Sequence, residues 1–451
     1  MAAIQKIKPI KPMKKQKQTK RVGAKKVLSP SKTKKNRPVS GVRVKCPNSI
    51  QCIGFGEEIF SINAFFRHFT DFTLIDGGVD SERIGDVSNN GFMYKLSYLK
   101  DGYSSVAILK STQKINSDNL MYEYNVGLFI NSICPYYTCF LETYGLFQYN
   151  TMADYNKFKT NKKVSKAELN NSLTSIPLDY SIGCPNSQTI SLLVQYVYGT
   201  SLTDLIMMNV DNTTFVNYDL WCILFQIYYA LSQLGDNFTH YDLHTSNVMI
   251  YVPNIGDPIT YNYYLANGDI TFKSRYIAKI IDYGRSYFNN GQPNGSSSDV
   301  YNRTLSIRPC DSNYRFGTIP DGGTQYGMPW GGLSAYNIDT RKRNVSADLR
   351  LFYMVGQKLD QNNVSITNAS TNSYIKQMIK SVVFDPTGQY GRVCTDEITQ
   401  SGLANGYIYN VSDALHAIAM YIGLNSQKYE DRYAIKTKEI TVEPGKKTVI
   451  Q

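Results

Sequence analysis

An α+β fold in two lobes, β-rich first and α-rich second, is predicted by three observations. Between 83 and 110 apolar residues alternate, which is the period of half-buried strands. From 202 onward the apolar spacing is helical. A polar motif, THYDLHTSNVMI at 239–250, falls where strands give way to helices. Strands followed by helices around one core make an α+β arrangement.

The chain of 451 residues is long enough for two or three domain-sized units. Its first segment, 1–45, is an arm with 16 Lys or Arg and no Asp or Glu. Without the arm 32 basic residues face 36 acidic ones, so all the excess behind the net charge of +12 sits there. Its Lys, Pro, Ser and Gln content buries too little apolar surface to offset ordering entropy, so the arm is expected to be disordered. Such a run suits phosphates of nucleic acid or another polyanion, by counterion release, or an import address. A solvated tail that only aids solubility is the plainer alternative.

The basic N-terminus lacks the apolar core of a signal peptide, and no window reaches the roughly 18 uncharged apolar residues of a membrane span. The eight Cys are scattered without a CxxC pair, which argues against a zinc site. The expectation is an intracellular chain, in cytoplasm or nucleus, with reduced thiols and no membrane partner.

In chain order, 46–198 forms the first lobe. FSINAFFRHF at 60–69 suits a short helix capped by Ser61. Alternating runs flank Lys100-Asp101-Gly102, a hairpin signal. NLMYEYNVGLFINSI, from 119, has helical spacing behind a Ser117-Asp118 cap. CFLETYGLFQYN and SLLVQYVYG read as strands, and the Lys-rich 151–188 between them as an inserted loop. The second lobe, 199–428, opens on a long apolar helix over 218–234. An inserted hairpin at about 251–275 and a turn-rich loop at 285–345 follow. A helix capped by Ser346 and two amphipathic helices, SYIKQMIKSVVF and NVSDALHAIAMYIGL, come next. Residues 429–451 read as a flexible tail. Tyr is frequent, 36 of 451, which reads as composition bias.

The chemistry-bearing residues lie in THYDLHTSN and in KIIDYG at 279–284. Asp242 can orient a hydroxyl, and Asn247 and Asp282 are oxygen ligands for hard Mg²⁺, which are the needs of phosphoryl transfer from Mg-ATP. His240 would brace the loop from the core. A polar loop with an internally bonded Asp is the bland alternative, but it leaves a second Asp-aromatic-Gly after a strand unexplained. Lys110 closes the strand VAILK, where a buried lysine is costly unless it meets an anion. ATP phosphates are such an anion; an edge lysine pointing to water is the alternative. Glu123, on the helix that follows, is placed to fix that lysine. IGDVSNNGFMYK at 84–95 offers Gly85 and Gly91 for a phosphate loop, with Val87 where a middle Gly is usual and Asn89 and Asn90 as turn formers. LLVQYVYGTSL at 192–202 suits a linker between lobes, where the backbone of Gln195 and Val197 would hydrogen-bond adenine. Any buried strand ending in Gly would look similar.

With VAILK, Glu123, LLVQYV, HYDLHTSN, IDYG and Asp348 in this order, the chain resembles eukaryotic-type protein kinases over about 83–428. HxDLHxxNV with IIDY is similar to haspin-like kinases, and HxDLHxxN also occurs in aminoglycoside-phosphotransferase-like kinases. On composition and the basic arm, rather than on a motif, the chain is similar to kinase-like proteins of large nucleocytoplasmic DNA viruses. The resemblance implies a bilobal kinase-like fold, ATP and Mg²⁺ as cofactors, and Ser/Thr hydroxyls of a protein substrate as acceptors. It also implies that Lys110 meets the phosphates, that Asp348 bonds the catalytic-loop backbone, and that the protein is packaged in a virion if viral.

Three departures bear on these implications. Tyr241 replaces the Arg of H-R-D, which suggests activity without a phosphorylated activation-loop switch. His244 replaces the Lys usual two residues after the Asp and would still donate to the transferring phosphate. No A-P-E follows; the nearest stretch is GMPWGGL at 327–333. Two other functions fit the same residues. One is a small-molecule phosphotransferase, against which Gly284 and the arm argue. The other is a pseudokinase that binds nucleic acid or builds a virion, which the irregular Gly loop allows.

Overall fold

Alternating strands and a tight turn build the first half of the fold. The computed structural model describes residues 63–78, 81–88, 91–113, 115, 119–183, 186–252, 258–266, 268–307, 325–326, 337–361, 369–383, 397–430 and 438–450. Among them β1 (Ser81–Ser88), β2 (Gly91–Lys100) and β3 (Tyr103–Thr112) form an antiparallel meander. The β2–β3 turn runs through Asp101 and Gly102 at φ 52° and 80°, positive values whose twist suits a two-residue hairpin. With β4 (Thr143–Tyr149), β5 (Lys163–Val164), β6 (Leu173–Ser175) and β7 (Ile190–Gln195) they make one curled antiparallel sheet in the order β5-β1-β2-β3-β7-β4-β6.

Period-two alternation gives this sheet two buried faces. Ala107, Leu109, Phe147 and Leu193 face an aromatic core that includes Phe66, Phe69, Tyr94, Tyr98 and Phe158. Ile108, Leu146, Leu192 and Val194 face the larger core shared with the helices. Lys110, two positions from Ile108, therefore points to the helix side. There lies α1 (Asn119–Ile133), which buries Met121, Tyr122, Glu123, Val126 and Ile130.

The segment 151–188 is not the loop its composition suggests. It holds α2 (Met152–Thr160), α3 (Lys166–Ser172) and the short α4 (Tyr180–Gly183). Thr151 caps α2, and Ser165 and Glu168 cap α3 reciprocally. Tyr155, Phe158 and Leu169 anchor the two helices in the aromatic core, and these anchors outweigh the Lys-rich surface. The expected 60–69 helix ends early, at 65, within the described residues. Residues 63–65 are helical, then Arg67, His68 and Phe69 turn at φ 54°, 55° and 58°.

The second half follows α5 (Leu202–Met208) and centres on α6 (Leu220–Gln233), every residue of which is buried over 220–231. It is entered through a π-helical turn, Phe215–Asp219, so the α-helix starts later than 218. Around it stand α7 (Ser297–Ile307), α8 (Leu349–Gln361), α9 (Ala369–Lys380) and α10 (Val411–Glu430). The helix α7 lies inside 285–345, which is therefore not loop throughout. Ser346 does not cap α8, which begins at Leu349; its Oγ accepts the Ile398 N–H at 3.0 Å instead.

Two small sheets pin the motif loops. β8 (Gly199–Ser201), β10 (Val248–Tyr251) and β13 (Ile277–Ile280) lie in the order β13-β10-β8, and β9 (Phe238–Thr239) pairs with β14 (Tyr287–Phe288). The pairing Val248↔Ile280 brings the 239–250 and 279–284 stretches side by side. β11 (Ile259–Tyr263) and β12 (Ile270–Ser274) form the hairpin expected near 251–275. β15 (Gln325–Tyr326) pairs with β16 (Asn337–Ile338). The 429–451 segment, expected as a flexible tail, supplies β17 (Lys438–Val442), parallel to β11, and β18 (Val449–Ile450). Burial of Ile440 and Val442, each 1% exposed, explains why this charged stretch is ordered.

Many tyrosines are structural rather than a composition bias. Tyr94, Tyr98, Tyr122, Tyr155 and Tyr228 are buried, and their hydroxyls donate to backbone carbonyls of Phe158, Phe69, Ser286, Thr112 and Asp348. Among the described residues no helix is long and apolar enough to cross a membrane. The described residues fall within one compact unit, 39–451. The 1–45 arm, Ser61, Asn89, Asn90, Ser117, Asp118 and GMPWGGL lie outside the described residues.

Candidate active site

The site starts from one lysine. On β3, Lys110 faces α1, and its Nζ donates to Glu123 Oε2 at 2.8 Å and Oε1 at 3.0 Å. The same Nζ donates to Asp282 Oδ1 at 2.9 Å. Sheet, helix and the DYG turn are thus joined at a single ammonium. Burial works against the Lys110 charge, but the Asp282 and Glu123 carboxylates beside it outweigh that and raise its pKa. Burial pushes Glu123 up to about 7, against the pull of Lys110. Asp282 is drawn down to about 2, chiefly by Lys110. The environments of the two carboxyls differ: the Glu123 side chain is 7% exposed and the Asp282 side chain 45%.

The DYG turn is locally strained. Asp282 sits at φ 67°, a left-handed value uncommon for a non-glycine residue. It is held there by its neighbours. Tyr283 is buried, and its hydroxyl accepts the Leu141 N–H at 2.7 Å and donates to Ile280 O at 2.8 Å. Ile281 N–H donates to Asn247 O at 3.0 Å, and His240 Nε2 pairs with Ile281 O at 2.9 Å. The carbonyl can only accept, so Nε2 carries the proton and Nδ1 accepts from Asp242 N–H at 3.3 Å. His240, fully buried, braces both motif loops.

The loop at 240–247 is fixed from beneath by α8. Asp348, 2% exposed, accepts the backbone N–H of His240 at 2.8 Å and of Tyr241 at 3.0 Å. Tyr241 adopts φ 62°, a second strained position, and its hydroxyl donates to Lys342 O at 2.8 Å. Asn247 Nδ2 donates to Asp242 O at 2.9 Å, which turns its amide oxygen to the role of acceptor. The Asp242 carboxylate accepts from Arg350 at 2.8 Å, with Arg285 Nε 3.8 Å and His244 Nε2 3.9 Å away. Burial first of all lowers the His244 pKa to about 4, so its ring is neutral near pH 7. Its Nδ1 accepts the Ser246 N–H at 3.2 Å, which places the proton on Nε2, toward Asp242.

Of the remaining candidates, Gly85, Gly91 and Gln195 sit on the same sheet and Val197 just past the end of β7, and none is hydrogen-bonded to this cluster. Gly85 lies at φ 64° and Gly91 at φ 151°. A Cβ at Gly91 would meet Ser111 O at 1.9 Å, so only glycine lets β2 run this close to β3. Gly91 pairs with Thr112, two positions beyond Lys110, so the β1–β2 turn ends beside the lysine. Gln195 N–H donates to Glu142 O at 2.9 Å and is therefore committed inside the protein, not a donor for adenine. Its carbonyl and the Val197 backbone remain candidates.

Arg350 and Arg285 went unforeseen. A signal for Arg350 was present: an arginine in the apolar run DLRLFYMV must meet a carboxylate if buried. Among the described residues no group of three or more His, Cys, Asp or Glu could hold a metal ion. Asn247 and Asp282 offer two oxygen donors, a set that fits Mg²⁺ when phosphates and water complete its shell. Chemically, the cluster can bind a metal-phosphate group at Lys110, Asp282 and Asn247 and present a fixed carboxylate to a hydroxyl.

No protein-family model matches the chain, and a search of curated proteins finds no relative.

Proposed function

We propose that the protein is an ATP-dependent phosphotransferase of the protein-kinase type, built on a bilobal kinase-like arrangement, with Ser/Thr hydroxyls of proteins as acceptors. The observation that carries this is the three-way contact of Lys110 with Glu123 and Asp282. A strand lysine fixed by a helix glutamate and set beside a metal-binding aspartate is the phosphate-gripping device of kinases. Lys110 then meets the α/β-phosphates, and Glu123 holds it in place. Asn247 and Asp282 would hold Mg²⁺, which would supply positive charge to offset that of the phosphates. Asp242 orients the attacking hydroxyl. His244 donates from Nε2 to the moving phosphoryl group. Gly85 and Gly91 let the β1–β2 turn cover the phosphates, and the Gln195 carbonyl with the Val197 backbone receives adenine. The 1–45 arm, on charge alone, supplies a salt-sensitive contact to nucleic acid or another polyanion.

Calorimetric titration with ATP tests the nucleotide site. Saturable binding that requires Mg²⁺ is expected. Asp282→Ala should weaken it roughly tenfold or more, a bond to a charged group being worth about 1.5–3 kcal/mol. Absence of saturable binding to the folded wild-type protein overturns the proposal.

A further inference from the structure

We propose that Arg350 is the positioning residue of this site, a permanent cation on α8 that holds the Asp242 carboxylate in one orientation for the incoming hydroxyl. The role rests on the phosphotransfer proposal above and extends it to a residue outside the motifs. Three observations support it. Arg350 donates from a guanidinium nitrogen to Asp242 Oδ1 at 2.8 Å. Its side chain is only 3% exposed, while that of Asp242 is 18% exposed. A guanidinium so deeply buried is expensive to desolvate and is retained only with an anion beside it. The other two basic groups near Asp242, Arg285 and His244, stand at 3.8 and 3.9 Å, beyond hydrogen-bond reach.

The geometry also explains why the cation comes from α8. Asp348, two residues earlier, accepts the N–H groups of His240 and Tyr241. One turn at the start of α8 therefore grips the loop twice. Asp348 fixes the backbone that leads into Asp242, and Arg350 fixes the carboxylate itself. Position 241 carries a tyrosine whose hydroxyl is spent on Lys342 O, so the loop supplies no cation of its own there. In a positional mechanism a misplacement of about 1 Å costs on the order of 100-fold in rate. Loss of Arg350 should act through that misplacement and leave the nucleotide, bound at Lys110 and Asp282, in place.

The test compares wild type, Arg350→Gln, Arg350→Lys and Arg350→Ala in Mg-ATP-dependent transfer to a basic protein acceptor, with melting curves as the fold check. Arg350→Gln should lower kcat about 100-fold while KM for ATP stays within about threefold. Arg350→Lys keeps the charge without the planar fork and should recover part of the loss. Guanidinium ion added to Arg350→Ala should raise its rate in a saturable way, which a merely structural role would not produce. Should Arg350→Gln fail to fold, the Lys and Ala variants carry the same comparison. A kcat within about threefold of wild type in folded Arg350→Gln overturns the Arg350 role and leaves phosphotransfer standing. Parallel loss of ATP affinity and kcat in every variant, without guanidinium rescue, also overturns it. Wild-type protein without any transfer removes the reaction and overturns both.

Discussion

Asp348 accepts the backbone N–H of His240 at 2.8 Å across a sequence separation of 108 residues. The same carboxylate takes the Tyr241 N–H at 3.0 Å, so one buried side chain sets the path of the loop that carries Asp242 and Asn247. Asp348→Ala leaves both donors buried without that acceptor. The expected cost is about 2–4 kcal/mol, read as a lower denaturant midpoint at unchanged slope. A loss under about 0.5 kcal/mol would show that water replaces the carboxylate and that the loop is held elsewhere.

Burial of the Glu123 carboxyl predicts a pH dependence for the site. Burial raises its folded-state pKa from 4.5 to about 7. Its stabilising contribution is therefore fully present below about 4.5 and is lost as pH rises through 7. The ion pair with Lys110 runs the other way, because only ionised Glu123 holds the lysine as a charged pair. Phosphotransfer, as kcat/KM for ATP, should thus rise with pH along a limb centred near 7. Glu123→Gln should erase that limb and leave a low rate across the range. A limb that persists in Glu123→Gln would assign it to another group.

The C-terminal strands act as a strap on the helix that carries Glu123. Thr448 N–H donates to Pro135 O at 2.7 Å and its Oγ donates to Tyr136 O at 2.9 Å, just past the end of α1. Ile440 and Val442 are buried behind it, each worth about 1.5–3 kcal/mol if fully removed from water. Removing 438–451 should lower the melting temperature and speed amide hydrogen exchange at the end of α1 and in β11. Exchange at 130–136 and 259–263 equal to that of the full chain would contradict the strap.

Local signals made a good part of this legible in the sequence. The β2–β3 hairpin announced itself through Asp101-Gly102, and α1 through its apolar spacing, because turn chemistry and helical period are properties of neighbouring residues. The order of Lys110, Glu123, Asp242, Asn247 and Asp282 was readable for the same reason. Pairings between distant segments were not. Nothing in KEITV marks it as the parallel partner of β11, since a strand pattern shows a face and not a neighbour. The helices α2 and α3 did carry capping signals, Thr151 to Asp154 and Ser165 to Glu168, but their Lys-rich surfaces hid the anchors Tyr155, Phe158 and Leu169. Arg350 was hidden because its partner, Asp242, lies 108 residues earlier in the chain, beyond the reach of any local pattern.

The most direct measurement is transfer of label from γ-labelled Mg-ATP, with basic proteins and a set of small hydroxyl compounds as alternative acceptors, for wild type beside Asp242→Asn. Label is expected on Ser or Thr of protein, with a fall of about 100-fold or more in the variant, the usual contribution of a positioned acid–base group. Folded wild-type protein that labels no acceptor, or an Asp242→Asn variant as active as wild type, would contradict phosphotransfer at this site.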